Sequence, residues 1–221
     1  MSPALVLHGM SLSGHVHRVE LLLRMLDLPY EMRDAPPEVR QTEAFRRLNP
    51  LGQIPVLQDG DLVLCDSSAI LVYLAKTYAP GTHWLPEDAV GAAEVQRWLA
   101  LAAGELKYGP AAARRMMLWD IPGGRSEAIR LARTFLAFMN RYLEERVWLA
   151  TGQPTIADLA CYAYVAHAPE GGVDLAPYPA VQVWLQRVEA LPGFFAMPAS
   201  PVPAAAPRGS TGSGHFMAGP R

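Results

Sequence analysis

The sequence predicts a two-part chain, a small α/β unit followed by an all-helical one, and three observations carry that expectation. Short apolar runs punctuated by glycine, proline and aspartate alternate with helical periods up to residue 79. Beyond the Pro80 to Pro86 loop only helical periods recur. Apolar residues make up 51% and charged residues 18% of the 221, enough material for a substantial buried core.

Ala4 to His8, closed by Gly9, reads as a buried first strand. After the Gly9 to Gly14 turn, Val16, Val19, Leu22, Leu23 and Leu26 recur at helical spacing. Leu28 to Met32 fits a second strand. Glu38 to Leu48, opened by Pro36-Pro37 and closed by Asn49-Pro50, fits a second helix. Ile54 to Leu57 and Leu62 to Cys65 flank an Asp59-Gly60 turn and form a hairpin. Asp66 and Ser67 then stand where the apolar-periodic segment Ala69 to Tyr78 needs an N-cap. Further on, helices are expected over Val90 to Leu106, Ser126 to Trp148, Ile156 to Ala166 and Pro179 to Leu191. Thr155-Ile156-Ala157-Asp158 has the shape of a capping box with Asp in place of Glu.

These elements divide the chain into an α/β unit over 1–79, a helical unit over 87–198 and a tail over 199–221. The tail is rich in Pro, Ala, Gly and Ser and buries too little apolar surface to offset its ordering entropy, so it is expected to be flexible unless a partner pins it.

Lys and Arg total 19 against 21 Asp and Glu, without long blocks of one sign. That balance argues against a nucleic-acid partner and against an anionic membrane surface, and favours a small molecule or another protein. The two cysteines, Cys65 and Cys161, lie far apart in apolar runs, outside any CxxC or metal-ligand spacing, and read as small hydrophobes with no metal implied. No signal-type leader or run of about 20 apolar residues is evident, so a cytoplasmic location is expected.

The most informative stretch is Asn49-Pro50-Leu51-Gly52-Gln53-Ile54-Pro55-Val56-Leu57, followed by Leu64-Cys65-Asp66-Ser67-Ser68-Ala69-Ile70-Leu71 and Tyr73-Leu74. Together with the helix start from Ser13 to Val19, it resembles the cytosolic glutathione transferase family, in its bacterial, serine-type, theta/delta-like or related subgroups. The resemblance spans nearly the whole chain. It implies a thioredoxin-like N-terminal domain, an all-α C-terminal domain and a homodimer, with glutathione as co-substrate.

The residues give this a physical basis. An Ile54-Pro55 bond can be cis at a penalty of about 0.5–1 kcal/mol, which would turn the Ile54 N–H and C=O outward to pair with an extended peptide. An ordinary trans turn proline is the plainer alternative. Asp66 and Ser67 lie at a helix N-terminus, where unpaired N–H groups and the dipole favour a carboxylate. By resemblance Ser67 holds the γ-glutamyl carboxylate and Asp66 the γ-glutamyl ammonium, Gln53 contacts the ligand backbone, and Arg40 reaches the glycyl carboxylate. A simple cap, or a solvated helix face at Arg40, would account for the same residues.

Catalysis needs the glutathione thiolate, which a hydroxyl donor at the first helix N-terminus can stabilise. Ser13 is the first candidate, six residues before Val19, and resembles the active-site serine of the serine-type subgroups. Ser11 is the alternative in the same turn, and His15 stands where other subgroups carry asparagine or cysteine, as a second donor or as exposed helix polarity. An electrophile pocket is expected between this turn and the helix after Glu105, with Tyr108, Arg115 and Trp119 as candidates alongside Arg114 and Met117. The leading function is transfer of the thiolate to an electrophilic, partly apolar small molecule. The alternatives are a glutathione-dependent reductase, isomerase or dehalogenase, or a non-catalytic binding or regulatory relative.

Overall fold

A computed structural model of the chain describes residues 5–200. Four strands form one sheet in the order β2-β1-β3-β4. β1 (Leu5–Gly9) pairs parallel with β2 (Tyr30–Asp34) and antiparallel with β3 (Val56–Asp59), which pairs antiparallel with β4 (Leu62–Cys65). α1 (Gly14–Met25) is the crossover that a parallel β1–β2 pair requires. α2 (Pro37–Arg40) and α3 (Glu43–Leu48) precede the hairpin, and α4 (Ser67–Tyr78) follows it.

Three boundaries depart from the sequence expectation for local reasons. β2 starts at Tyr30 because Leu26, Asp27 and Leu28 are spent closing α1: their amides bond back to Leu22, Arg24 and Leu23, with Asp27 in the left-handed region at φ 52°. The single helix expected over Glu38 to Leu48 is two, because the Thr42 side chain accepts the Phe45 amide at 3.2 Å and so starts a second helix. The third strand begins at Val56, after a cis Ile54-Pro55 bond.

The helical unit comprises α5 (Ala89–Ala103), a π-turn (Lys107–Ala111), α6 (Ala112–Leu118), α7 (Arg125–Leu143), α8 (Ile156–Ala166), a 3-10 turn (Ala168–Gly171) and α9 (Pro179–Glu189). α7 stops short of the expected Trp148, and the chain after it turns so that the Leu149 amide reaches Asp158 Oδ1 at 3.1 Å. α8 is apolar around its whole circumference and buried from Ile156 to Val165, as a central pillar must be. It packs against α1, α4, α5 and α9, so one continuous core runs from β1 through α1 into the helical unit. A smaller cluster of Ala35, Phe45 and Val56 fills the space beneath α3.

The residue 199–221 segment divides at the limit of the described structure. Ser200 is packed, 6% exposed, and hydrogen-bonded to Arg114 and Glu170. Residues 201–221, on which most of the flexible-tail expectation falls, lie outside the described residues. Among the described residues no helix is long and apolar enough to cross a membrane.

Candidate active site

The N-termini of α1 and α4 carry the residues singled out in the sequence. Ser13 is the N-cap of α1: its hydroxyl accepts the Val16 amide at 3.4 Å, and its own amide donates to the Met10 carbonyl at 3.0 Å. Gly14 follows because nothing larger fits, since a Cβ there would lie 2.8 Å from the Tyr164 ring of α8. Ser11 is exposed, two residues outside the helix.

At α4, Asp66 is the N-cap, at φ 72°, and its Oδ1 accepts both the Ser68 amide (2.8 Å) and the Ala69 amide (3.1 Å). Capping therefore consumes two first-turn donors, while the Ser67 N–H has no partner among the described residues. Ser67 itself is buried.

The two helix starts meet through side chains. His15 Nδ1 lies 3.4 Å from Ser67 Oγ, and Arg18 Nη1 donates to the same oxygen at 3.3 Å. Arg18 was not singled out from the sequence, where it reads as one polar residue on a helix. It is fully buried, its Cζ is 5.9 Å from the Tyr164 ring centroid, and its Nε and Nη2 have no hydrogen-bond partner among the described residues. This buried guanidinium adds a positive charge beneath the N-terminus of α4. Burial, followed by the charges of Arg18 and Lys107, holds the His15 imidazolium pKa well below its usual range, so the ring is neutral at neutral pH. Because Ser67 Oγ accepts from Arg18, its own hydrogen is free to point at His15 Nδ1, which leaves the ring proton on Nε2.

The loop before β3 is organised by Asn49, which opens the informative stretch of the sequence but has no role assigned there. Buried, it donates from Nδ2 to the Gln53 carbonyl (2.8 Å) and accepts the Leu51 amide at Oδ1 (3.1 Å). Gln53 is thereby presented outward, and neither backbone polar group of Ile54 is hydrogen-bonded among the described residues. Arg40 lies next to this loop, a Cβ on Gly52 falling 3.2 Å from the Arg40 carbonyl, and its buried Nε lacks a partner among the described residues.

The residues expected to line an electrophile pocket lie on the π-turn, on α6 and just after it. Tyr108, in the π-turn, is 61% exposed with Lys107 Nζ 5.5 Å from its ring centroid, and Trp119 is 51% exposed just past α6. Arg115 is exposed, and no hydrogen bond or ion pair joins it to the Ser13–Ser67 cluster among the described residues. Its neighbour Arg114 is the buried member of the pair. Among the described residues no group of three or more His, Cys, Asp or Glu is placed to hold a metal ion.

A four-stranded mixed sheet with flanking helices, joined through one core to an all-helical unit, defines a two-unit protein with a thioredoxin-like N-terminal domain. Comparisons with known proteins make this specific. The family model described as "Glutathione S-transferase, N-terminal domain" matches residues 7–82, and "Glutathione S-transferase, C-terminal domain" matches residues 125–192. Bovine (Bos taurus) glutathione S-transferase theta-1 is 30% identical over 178 residues, covering 75% of this chain and 74% of that protein. A glutathione S-transferase structure from Pseudomonas fluorescens superposes with a TM-score of 0.82 at 34% identity, covering 87% of this chain and 98% of the other. A glutathione transferase homologue from Drosophila mojavensis, solved with bound glutathione, gives a TM-score of 0.78 at 28% identity, over 87% of this chain and 90% of the other. The chain belongs to the glutathione S-transferase family.

Proposed function

We propose that this glutathione transferase ionises bound glutathione at the start of α1 and passes its sulfur to an electrophilic, partly apolar small molecule. The observation that carries this reading is the contact of His15 and Arg18, on the helix that Ser13 caps, with Ser67 at the N-terminus of α4. Glutathione is an extended, anionic peptide, and each of its groups has a counterpart. The Ser67 amide and hydroxyl, with Arg18 beneath, suit the γ-glutamyl carboxylate, and the Asp66 carboxylate suits the ammonium. The unpaired backbone of Ile54, following Gln53 and preceding Pro55, suits the peptide's central amide. Arg40, half-buried beside this loop, is the cation that suits the glycyl carboxylate.

The Ser13 hydroxyl accepts the Val16 amide and neighbours the Tyr164 phenol, and on this reading its hydrogen turns to the sulfur when glutathione binds. A donor at that point, with the α1 dipole behind it, lowers the thiol pKa. The neutral His15 Nε2–H is a second donor to the same region. The thiolate then forms a bond to carbon, and the electron pair of the broken bond leaves with the electrophile's leaving group or passes into its unsaturated system. Most of the rate gain on this reading is proximity together with a larger thiolate fraction. The domain boundaries at 79 and 87, a homodimer and a cytosolic location belong to the same proposal, in keeping with the family.

The test is conjugation of several electrophiles by the purified protein and its Ser13→Ala, Ser11→Ala and His15→Ala variants, with ultraviolet titration of bound glutathione thiolate. Ser13→Ala is expected to lower kcat/KM about 100-fold and raise the thiol pKa, as removal of a hydrogen-bond donor from a developing anion does. Ser11→Ala should change little. Wild-type rates equal to the enzyme-free control would refute the reading.

A further inference from the structure

Arg114 is buried on α6, and all three arms of its guanidinium are committed. Nη1 donates to the Leu12 carbonyl at 2.9 Å, Nε to Glu170 Oε2 at 2.5 Å, and Nη2 to Ser200 Oγ at 2.9 Å. Glu170 completes the cluster, its Oε1 pairing with His167 Nδ1 at 2.7 Å and accepting the Ser200 amide at 2.9 Å. Gly171 allows the 3-10 turn to come this close to α6, since a Cβ there would fall 2.6 Å from the Arg114 amide nitrogen. The network joins the Leu12–Ser13 turn, α6, the 3-10 turn and the end of the described chain.

The contact with Leu12 acts directly on the α1 cap. The Leu12 carbonyl and the Ser13 amide belong to one planar peptide unit. Arg114 holds its oxygen and the Met10 carbonyl holds its N–H, so the plane is pinned at both edges. What remains to place the Ser13 hydroxyl is the residue's own φ and χ1, and the Val16 amide constrains the latter. We infer that Arg114 is a positioning residue for the sulfur-activating turn, holding the Leu12–Ser13 peptide in register from the helical unit, with Ser200 fixing Arg114 in turn. This rests on the reading that Ser13 serves the thiol. An arginine is required because three partners in three directions need a planar fork, which an ammonium cannot supply.

The experiment compares Arg114→Lys, Ser200→Ala, Ser13→Ala and the Ser13→Ala/Arg114→Lys double variant by thiolate titration, by kcat and KM for glutathione, and by thermal melting. Lysine preserves the charge opposite Glu170 but cannot span all three partners. Arg114→Lys is expected to lower kcat about 10-fold with KM changed less than about twofold, the signature of a misplaced reacting group. Its bound thiol should titrate about one pH unit higher. Ser200→Ala should move both readouts in the same direction by about a third as much, in keeping with the loss of one of the guanidinium's three partners. Adding Arg114→Lys to Ser13→Ala should cost nothing more, because the arginine acts through the serine.

A lowered melting temperature with unchanged kcat and thiolate titration in Arg114→Lys would show a purely structural role and overturn the inference. Additive effects in the double variant would overturn it as well. If Arg114→Lys does not fold, an unmoved titration in Ser200→Ala, which leaves the ion pair intact, overturns it. A Ser13→Ala protein with wild-type titration would defeat the Ser13 reading and this inference together, whereas an altered Ser13→Ala beside an unaltered Arg114→Lys defeats this inference alone.

Discussion

His17 shows how much one side chain can govern the conditions under which the protein stays folded. It is buried on α1, its Nε2 is 3.0 Å from the Phe195 carbonyl, and its Nδ1 is buried without a hydrogen-bond partner among the described residues. Burial pushes its pKa down to about 4. The Phe195 carbonyl opposes that shift, and the charges of His167, Arg24 and Arg18 add to it. The unfolded chain therefore binds the proton more tightly than the native one. Stability is complete above pH 6.5 and falls as the pH drops through the folded value near 4, by up to about 3 kcal/mol. Urea midpoints should decline between pH 7 and pH 4.5, and His17→Gln, which retains an N–H donor without the titration, should flatten that decline. Arg18, one residue on, was invisible as a site residue in the sequence: its neighbours in the chain do not reveal that Ser67, on another helix, is its partner.

At the scale of elements, α8 depends on Asp158. Its carboxylate is buried and accepts the Thr155 amide (2.9 Å), the Leu149 amide (3.1 Å) and the Trp184 indole N–H (2.9 Å), joining a helix cap, the preceding loop and α9. Burial raises its pKa while these donors draw it down. Asp158→Ala strands three buried donors and should cost about 3–5 kcal/mol, readable as a lower urea midpoint. The capping box was legible in the sequence because its signal spans four residues, and α8 occupies the interval its apolar period predicts. Elements set by distant contacts were less legible. Gly109 and Pro110 look like helix breakers, yet the π-turn carries the chain through them, packed so closely on α7 that a Cβ on Gly109 would lie 2.8 Å from the Ala132 nitrogen. The same holds for the candidate site: Gln53 to Ser67 is a short run that resembles a glutathione-binding segment, whereas Arg114, which bonds the Leu12 carbonyl from α6, is 102 residues away from it.

For the molecule as a whole, the decisive fact is that the sheet unit and the helical unit share one core through α1 and α8. Neither face of α1 is finished without both, so the two units should unfold together. All five tryptophans, at 84, 98, 119, 148 and 184, lie beyond the sheet unit. Urea unfolding followed by tryptophan fluorescence should therefore coincide with hydrogen exchange of the β1 amides, and separate midpoints would show independent units. The reach of the last described residues has a further consequence, in the order of synthesis. Phe195 closes over His17, and Ser200 holds the Arg114 arm next to the one that bonds Leu12. As the ribosome delivers the chain, the Leu12–Ser13 turn is made long before the Phe195 and Ser200 segment that packs behind it. A growing chain thus carries that turn without these contacts until Ser200 has been made, and a chain stalled between the two lacks the bonds that tie the turn to the helical unit.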